Sequence, residues 1–387
     1  MILYVINSLS FSQATIVLGL SFFSQAIFDF PTGVLSDHLG QKRVLITSYV
    51  SYTAALFTIS LAHSFVLFAF GYMIFGFASS QESGALRTWF DNKYSLLEFP
   101  EKNHEFSVAI AKVEMAKGIA GACSMVIGGL LAVTFSRVLV FRIQAVLAML
   151  MALAFMKYLE ASKTTETATH LSTKFIEIYE FLRTHLNVTL FILGTTLMYS
   201  SYTVWTEIVS REIYFSYTGN DLGASVFRFC SWFSIIVIMG RAGKFGSKLD
   251  RTKLRPIHLI HPLLFFGLSA LIINYYPFPN HFSLGLILVF LLIFFLAGSL
   301  RAISFVLEQS FFLNEVPNGI RNSIYSLSPT LMYGLAFLII NIFGIIYDLW
   351  DISIAILILL VVEILAALLF GKSIQKQNLN SQNTNNP

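Results

Sequence analysis

The chain returns again and again to apolar stretches long enough to cross a lipid bilayer. A helix needs ~20 such residues to span the ~30 Å hydrocarbon core. Spans of about that length are predicted near 13–35, 43–63, 65–90, 107–134, 138–158, 187–209, 221–243, 256–276, 283–307, 324–347 and 351–371. The fold class that follows is an all-α membrane protein with about eleven visible transmembrane helices. Composition agrees, since 56% of residues are hydrophobic and only 12% charged, where a soluble domain carries ~25% charged residues. Lipid must solvate most of this surface. The opening segment MILYVINSLS has neither the basic n-region nor the small-residue cleavage site of a signal peptide.

The connectors fall into two alternating kinds. Lys42 and Arg43, Lys93 and Lys102, Lys163, Lys174 and Arg183, the run from Lys244 to Arg255, and Arg321 occupy the basic ones, and Lys372 and Lys376 begin the tail. Those between them, such as 274–280 and 347–351, are short and nearly free of Lys and Arg, with Arg137 and Arg211 the main exceptions. Excess positive charge marks cytoplasmic loops. The predicted orientation therefore places the basic loops and the C-terminus in the cytoplasm, for a multi-pass protein of the cell (cytoplasmic) membrane. The net charge of +4 is accounted for by that orientation, so nucleic acid is not an expected partner. Cys123 and Cys230 lie in apolar stretches without metal-ligand spacing and are expected to pack as small hydrophobes.

Four regions are expected: an N-terminal helical bundle (1–158), a cytoplasmic linker (159–186), a C-terminal bundle (187–372) and a disordered cytoplasmic tail (373–387). Within the linker, LSTKFIEIYEFLRTH (171–185) has apolar residues at helical spacing and suits an amphipathic helix at the membrane surface.

The connector GVLSDHLGQKRVL, residues 33–45, is similar to the signature G-x-L-x-D-r-x-G-r-[KR] of the major facilitator superfamily. Gly33, Leu35, Asp37, Gly40, Lys42 and Arg43 match it, while His38 and Gln41 stand where the family often has Arg. Glycines allow a tight turn and close helix approach. Asp37 can accept hydrogen bonds at a helix N-terminus, and Lys42 and Arg43 suit anionic headgroups. Gly246, Asp250 and Arg251 repeat the spacing in the second half, as a repeated transporter fold would place them. SSQESGALRTWFDNKY (79–94), with Arg87 and Asp91, resembles the end of the family's fourth helix, and 313–327 resembles the loop before its eleventh.

The resemblance covers nearly the whole chain and implies two helical bundles, twelve helices and secondary transport by alternating access. It also implies that most of the first helix is missing, because residues 1–9 can supply only its end.

Charges within apolar spans cost ~2.5–3.5 kcal/mol on insertion scales and are functional candidates for that reason. The candidates for a substrate cavity or for coupling are Gln25, Asp29, Glu82, Lys117, Glu207, Arg228 and Arg301, with Tyr199, Tyr202, Trp205 and Trp232 as aromatic walls. Arg87 and Asp91 suit contacts with the motif loop, and interhelical pairing is favoured for Glu114, Lys117, Glu308 and Glu363. A buried carboxylate, Asp29 or Glu82 first and Glu207 next, could couple solute movement to protons, since burial raises its affinity for one.

No G-x-x-x-x-G-K-[ST] loop is present, which disfavours ATP drive. The histidines lack H-E-x-x-H spacing and are read in loops or at span ends, which disfavours a membrane-embedded enzyme. The expected function is secondary transport of a small solute by a monomer in the bilayer, without cofactor or metal, with proton coupling, and with drug or metabolite efflux favoured over uptake. The competing expectation is a non-transporting relative acting as sensor, scaffold or truncated remnant.

Overall fold

A computed structural model of the chain describes residues 2–95, 102–160, 171–230, 232–233, 254–275, 284–316 and 318–384. Among them there is no β-strand. Backbone groups in hydrocarbon find no water, so each segment must satisfy its own N–H and C=O groups by forming a helix. The helices are α1 (Ile2–Val5), α2 (Phe11–Leu39), α3 (Gln41–Ser60), α4 (Phe65–Ser95), α5 (Lys102–Thr134), α6 (Arg137–Tyr158) and α7 (Leu171–Thr184). They continue as α8 (Leu186–Val204), α9 (Ser210–Thr218), α10 (residues 221–230), α11 (Leu254–Pro262), α12 (Leu268–Tyr275), α13 (Leu284–Glu315), α14 (Asn318–Leu349) and α15 (Ile352–Thr384). Wider π-helical turns, Trp205–Val209 and Leu263–Gly267, join α8 to α9 and α11 to α12.

Six stretches among the described residues are long and apolar enough to cross a membrane: Phe11–Asp29, Arg137–Tyr158, His258–Tyr275, Leu284–Arg301, Leu327–Leu349 and Ile352–Ser373. The other predicted spans fall on the more polar helices α3, α4, α5 and α8, and on α10, beyond which 221–243 lies largely outside the described residues. The amphipathic segment of the linker is α7. Helix α15 runs to Thr384, through the stretch read as a disordered tail. Lys372, Gln375, Lys376 and Gln377 are good helix formers and extend it.

Contacts divide the chain into two compact units. One comprises Met1–Ala116, Leu130–Thr173 and Tyr325–Gly344, and the other Lys117–Gly129, Lys174–Ile324 and Ile345–Pro387.

In the first unit, α2 packs on α4 with its polar face inward. Ser21, Ser24, Gln25, Asp29, Thr32 and Ser36 are buried, while Phe23, Ile27 and Phe28 are exposed. Lipid reverses the usual arrangement of a soluble helix, because apolar side chains lose nothing by facing tails and polar ones gain partners inside. Ser24 donates to the Met73 carbonyl (2.8 Å) and Thr32 to that of Ser80 (3.1 Å). Gly76 permits this approach, since a Cβ there would collide with the Ser21 carbonyl oxygen. Helix α6 buries Ala145, Ala148 and Ala152 and exposes Val146, Leu147 and Leu150. Its small-residue stripe packs against α3, where the Thr53 hydroxyl reaches the Ala145 carbonyl at 3.3 Å.

In the second unit, α8 packs along α15. Phe191 meets Phe370 edge to face at 5.2 Å, His258 stacks on the same ring at 4.1 Å, and Ser373 donates to the Asn187 carbonyl at 2.7 Å.

Candidate functional site

The motif loop is a single residue. Gly40 ends α2 and begins α3 with φ +83° and ψ 142°, and its N–H returns to the Ser36 carbonyl at 3.0 Å. That conformation excludes side chains, which accounts for Gly at this position. Two residues on, the Lys42 ammonium donates to the Met156 carbonyl at 2.9 Å. A cation is thereby placed on the last turn of α6, where unsatisfied carbonyls and the helix dipole favour it. Arg43 is exposed. The backbone of Gly33, Asp37, Arg87, Asp91 and Lys117 lies in helices, but their side chains fall outside the described residues, as do Gly246, Asp250 and Arg251 entirely.

Glu82, on α4, turns toward α3. The Tyr49 hydroxyl donates to its Oε1 at 2.9 Å and the Tyr52 hydroxyl to its Oε2 at 3.1 Å. Tyr49 and Tyr52 are three apart on one helix face, so both phenols reach one carboxylate. Next to it, the Thr47 hydroxyl donates to Gln81 at 3.2 Å. Gln25 and Asp29 are buried one turn apart on the inward face of α2. These groups all belong to the first unit.

The second unit holds a small cleft lined by Tyr202, Trp205, Thr206, Ser210, Tyr214, Arg228, Trp232, His261, Phe265, Phe294 and Gly298. Trp205 anchors its wall, 2% exposed, with ring centroids 4.5 Å from Phe265, 5.2 Å from Phe266 and 5.6 Å from Phe294. The π-helical turn beginning at Trp205 has a chemical consequence. The Ser210 N–H bonds the Trp205 carbonyl, five residues back, instead of the Thr206 carbonyl. The carbonyl released at Thr206 accepts from the Ser210 hydroxyl at 3.2 Å and from the Arg228 guanidinium at 3.3 Å. A wider turn thus turns a backbone oxygen outward to fix a cation at the cleft.

Of the sequence candidates, Tyr202, Trp205, Arg228 and Trp232 come together at this cleft. Glu207, on the same π turn, is paired with Arg211 at 2.5 Å, and so is not an isolated carboxylate. Arg301 is 6% exposed and sits 4.2 Å above the Tyr199 ring, a cation–π contact that desolvation strengthens.

Two groupings are not readable from the sequence. Tyr49 and Tyr52 as ligands of Glu82 leave only their three-residue spacing as a signal. Glu363, expected to pair structurally, lies 3.0 Å from Nδ1 of His261, and the Ser201 hydroxyl donates to its other oxygen at 2.9 Å. His258 and His261 lie at the start of a span, one of the two placements read from the sequence, and both are buried in α11. Cys123 and Cys230, expected to pack as small hydrophobes, are exposed. In hydrocarbon a thiol behaves as an apolar group and loses nothing there.

A family model described as Major Facilitator Superfamily matches residues 1–340. No individually curated protein matches the chain. Among solved structures, a mutant form of the nucleoside transporter NupG is similar with a TM-score of 0.74 at 14% identity, covering 96% of this chain and 93% of that one. A D-xylose-proton symporter is similar with a TM-score of 0.69 at 15% identity, covering 95% of this chain and 89% of the other. At such identities the likeness establishes the fold. The all-helical architecture, the glycine turn between α2 and α3 and the family match over residues 1–340 together identify the chain as a multi-pass membrane protein belonging to the Major Facilitator Superfamily of transporters.

Proposed function

We propose that the chain carries a small solute across the cytoplasmic membrane by alternating access, coupled to protons, with drug or metabolite efflux favoured over uptake. The observation that carries the coupling is Glu82, a carboxylate on α4 whose described partners are two phenols and no cation. A carboxylate bound to neutral donors can take up a proton without leaving a buried cation unpaired, whereas one in a permanent ion pair cannot. Asp29, buried on α2, is the companion candidate. The positive-inside distribution of Lys and Arg supports a cytoplasmic C-terminus.

Reconstitution into proteoliposomes tests this directly. Accumulation of a panel of labelled solutes is followed under an imposed pH gradient of either sign, which separates export from uptake. A nucleoside and D-xylose, named for the two structurally similar transporters, open the panel. The carrier is expected to concentrate at least one solute only when the gradient is present. Glu82→Gln or Asp29→Asn is expected to abolish that accumulation and to leave solute exchange at equal pH. Accumulation against a gradient by both folded variants would remove these carboxylates from coupling.

A further inference from the structure

The second unit contains a buried histidine–carboxylate pair that the coupling scheme above leaves unused. His261 is 3% exposed and Glu363 2% exposed. One carboxylate oxygen lies 3.0 Å from Nδ1 of the imidazole, and the other accepts the Ser201 hydroxyl at 2.9 Å. A hydrogen on Nδ1 and a charged Glu363 would satisfy both of these contacts at once. The opposite edge of the ring is different. Nε2 is buried without a hydrogen-bond partner among the described residues, and His261 is one of the residues lining the cleft.

A buried polar nitrogen left without a partner costs free energy unless something supplies one. The ring stacks on Phe265 with centroids 5.4 Å apart. Among the described residues, the charged and titratable groups near this region are Tyr202 of α8, which lies within electrostatic reach of Glu363, of Arg301 on α13 and of Arg228 on α10, with His258 one turn earlier on α11.

We propose that His261 and Glu363 form a proton-binding pair at the edge of the aromatic cleft. The proton adds to the Nε2 lone pair, Nδ1 keeps its own hydrogen on Glu363, and the carboxylate neutralises the imidazolium. Before protonation Nε2 is a hydrogen-bond acceptor, and after it a donor. Occupancy by a proton therefore turns a ring in the wall of the cleft from a neutral group into a cation paired with Glu363. The use of this switch in coupling rests on the transport function proposed above, while the proton site itself does not.

The test uses the whole protein in lipid bilayers, with no solute, and protons as the probe. Histidine labelled with ¹⁵N and glutamate labelled with ¹³C identify the His261 signal in the wild type by its Nδ1 contact with a glutamate carboxylate. At high pH that ring is expected to carry its hydrogen on Nδ1 and none on Nε2, and Nε2 is expected to titrate between about pH 4 and 9. Glu363→Gln keeps the shape and removes the charge, and should lower the Nε2 midpoint by about one pH unit or more. A neutral ring protonated on Nε2, no titration in that range, or a midpoint unchanged in Glu363→Gln would each overturn the proposal. The first two are read on the wild type alone, so a variant that fails to fold does not decide the matter. A protein that titrates as described but moves no solute would overturn the transport function and leave the proton site standing.

Discussion

Gly40 shows what a single position contributes. Its φ of +83° lies where side chains are rarely tolerated, and it joins two membrane helices without an intervening loop. Gly40→Ala is expected to cost ~1–3 kcal/mol, read as a lower thermal midpoint in detergent. Space is not the cause, for nothing stands within 4 Å of an added Cβ. Asp351, in the short turn before α15, makes a second residue-scale case. Partial burial pushes its carboxyl up, but the hydroxyl of Ser353 and the amide of Ile354 outweigh this and hold it below the ordinary carboxylate value. The depressed value means that its contribution is complete above the unfolded value near ~3.9 and is lost as pH falls through the folded one. Asp351→Ala should cost ~1 kcal/mol near neutral pH, with the difference from wild type shrinking in acid, as measured by thermal unfolding across pH. The role of Gly40 was legible in the motif, because a tight turn between two spans demands glycine. His261 was not, because its partner Glu363 is 102 positions away and no spacing rule connects two helices that distant.

At the scale of elements, existence was more legible than partnership. Apolar length announces a membrane helix, and α2, α6, α13, α14 and α15 fall where it places them. Which face turns inward depends on the neighbour. The alanines of α6 were ordinary residues in the sequence, and only α3 makes them an interface. The seam between α2 and α4 gives the corresponding prediction. A Cβ on Gly76 would meet backbone, the Ser21 carbonyl, which cannot rotate away. Gly76→Ala should therefore push the helices apart at a cost of ~1–3 kcal/mol. Gly121→Ala, with nothing within 4 Å, is the control and should be nearly silent in the same thermal assay.

For the molecule as a whole, orientation follows from charge outside the spans rather than from anything inside them. The basic connectors and tail should face the cytoplasm. Because the native Cys123 and Cys230 are exposed, both are first replaced by serine. A cysteine then placed at Ser381 should resist an impermeant thiol reagent in intact cells and react after the membrane is opened. Ready labelling of intact cells would reverse the topology. The cleft belongs to this scale too, and it was only partly legible. Tyr202, Trp205, Arg228 and Trp232 stood out as aromatic and charged residues in apolar spans, but nothing in the sequence marked Tyr214, Phe265 and Phe294, which only packing brings to the same wall.

The wider turn at Trp205–Val209 also changes the geometry of counting. Each residue advances an α-helix by about 100°, so the one extra residue held in that turn shifts the phase of everything after it by nearly a third of a revolution. Ser201, before the turn, meets Glu363, and Thr206 and Ser210 line the cleft from the same continuous rod. Deleting one residue within the turn would restore a regular helix and rotate α9 out of phase with its neighbours. The same deletion in a loop would merely shorten it. This stretch of chain is thus indexed by angle, and its length cannot be edited one residue at a time.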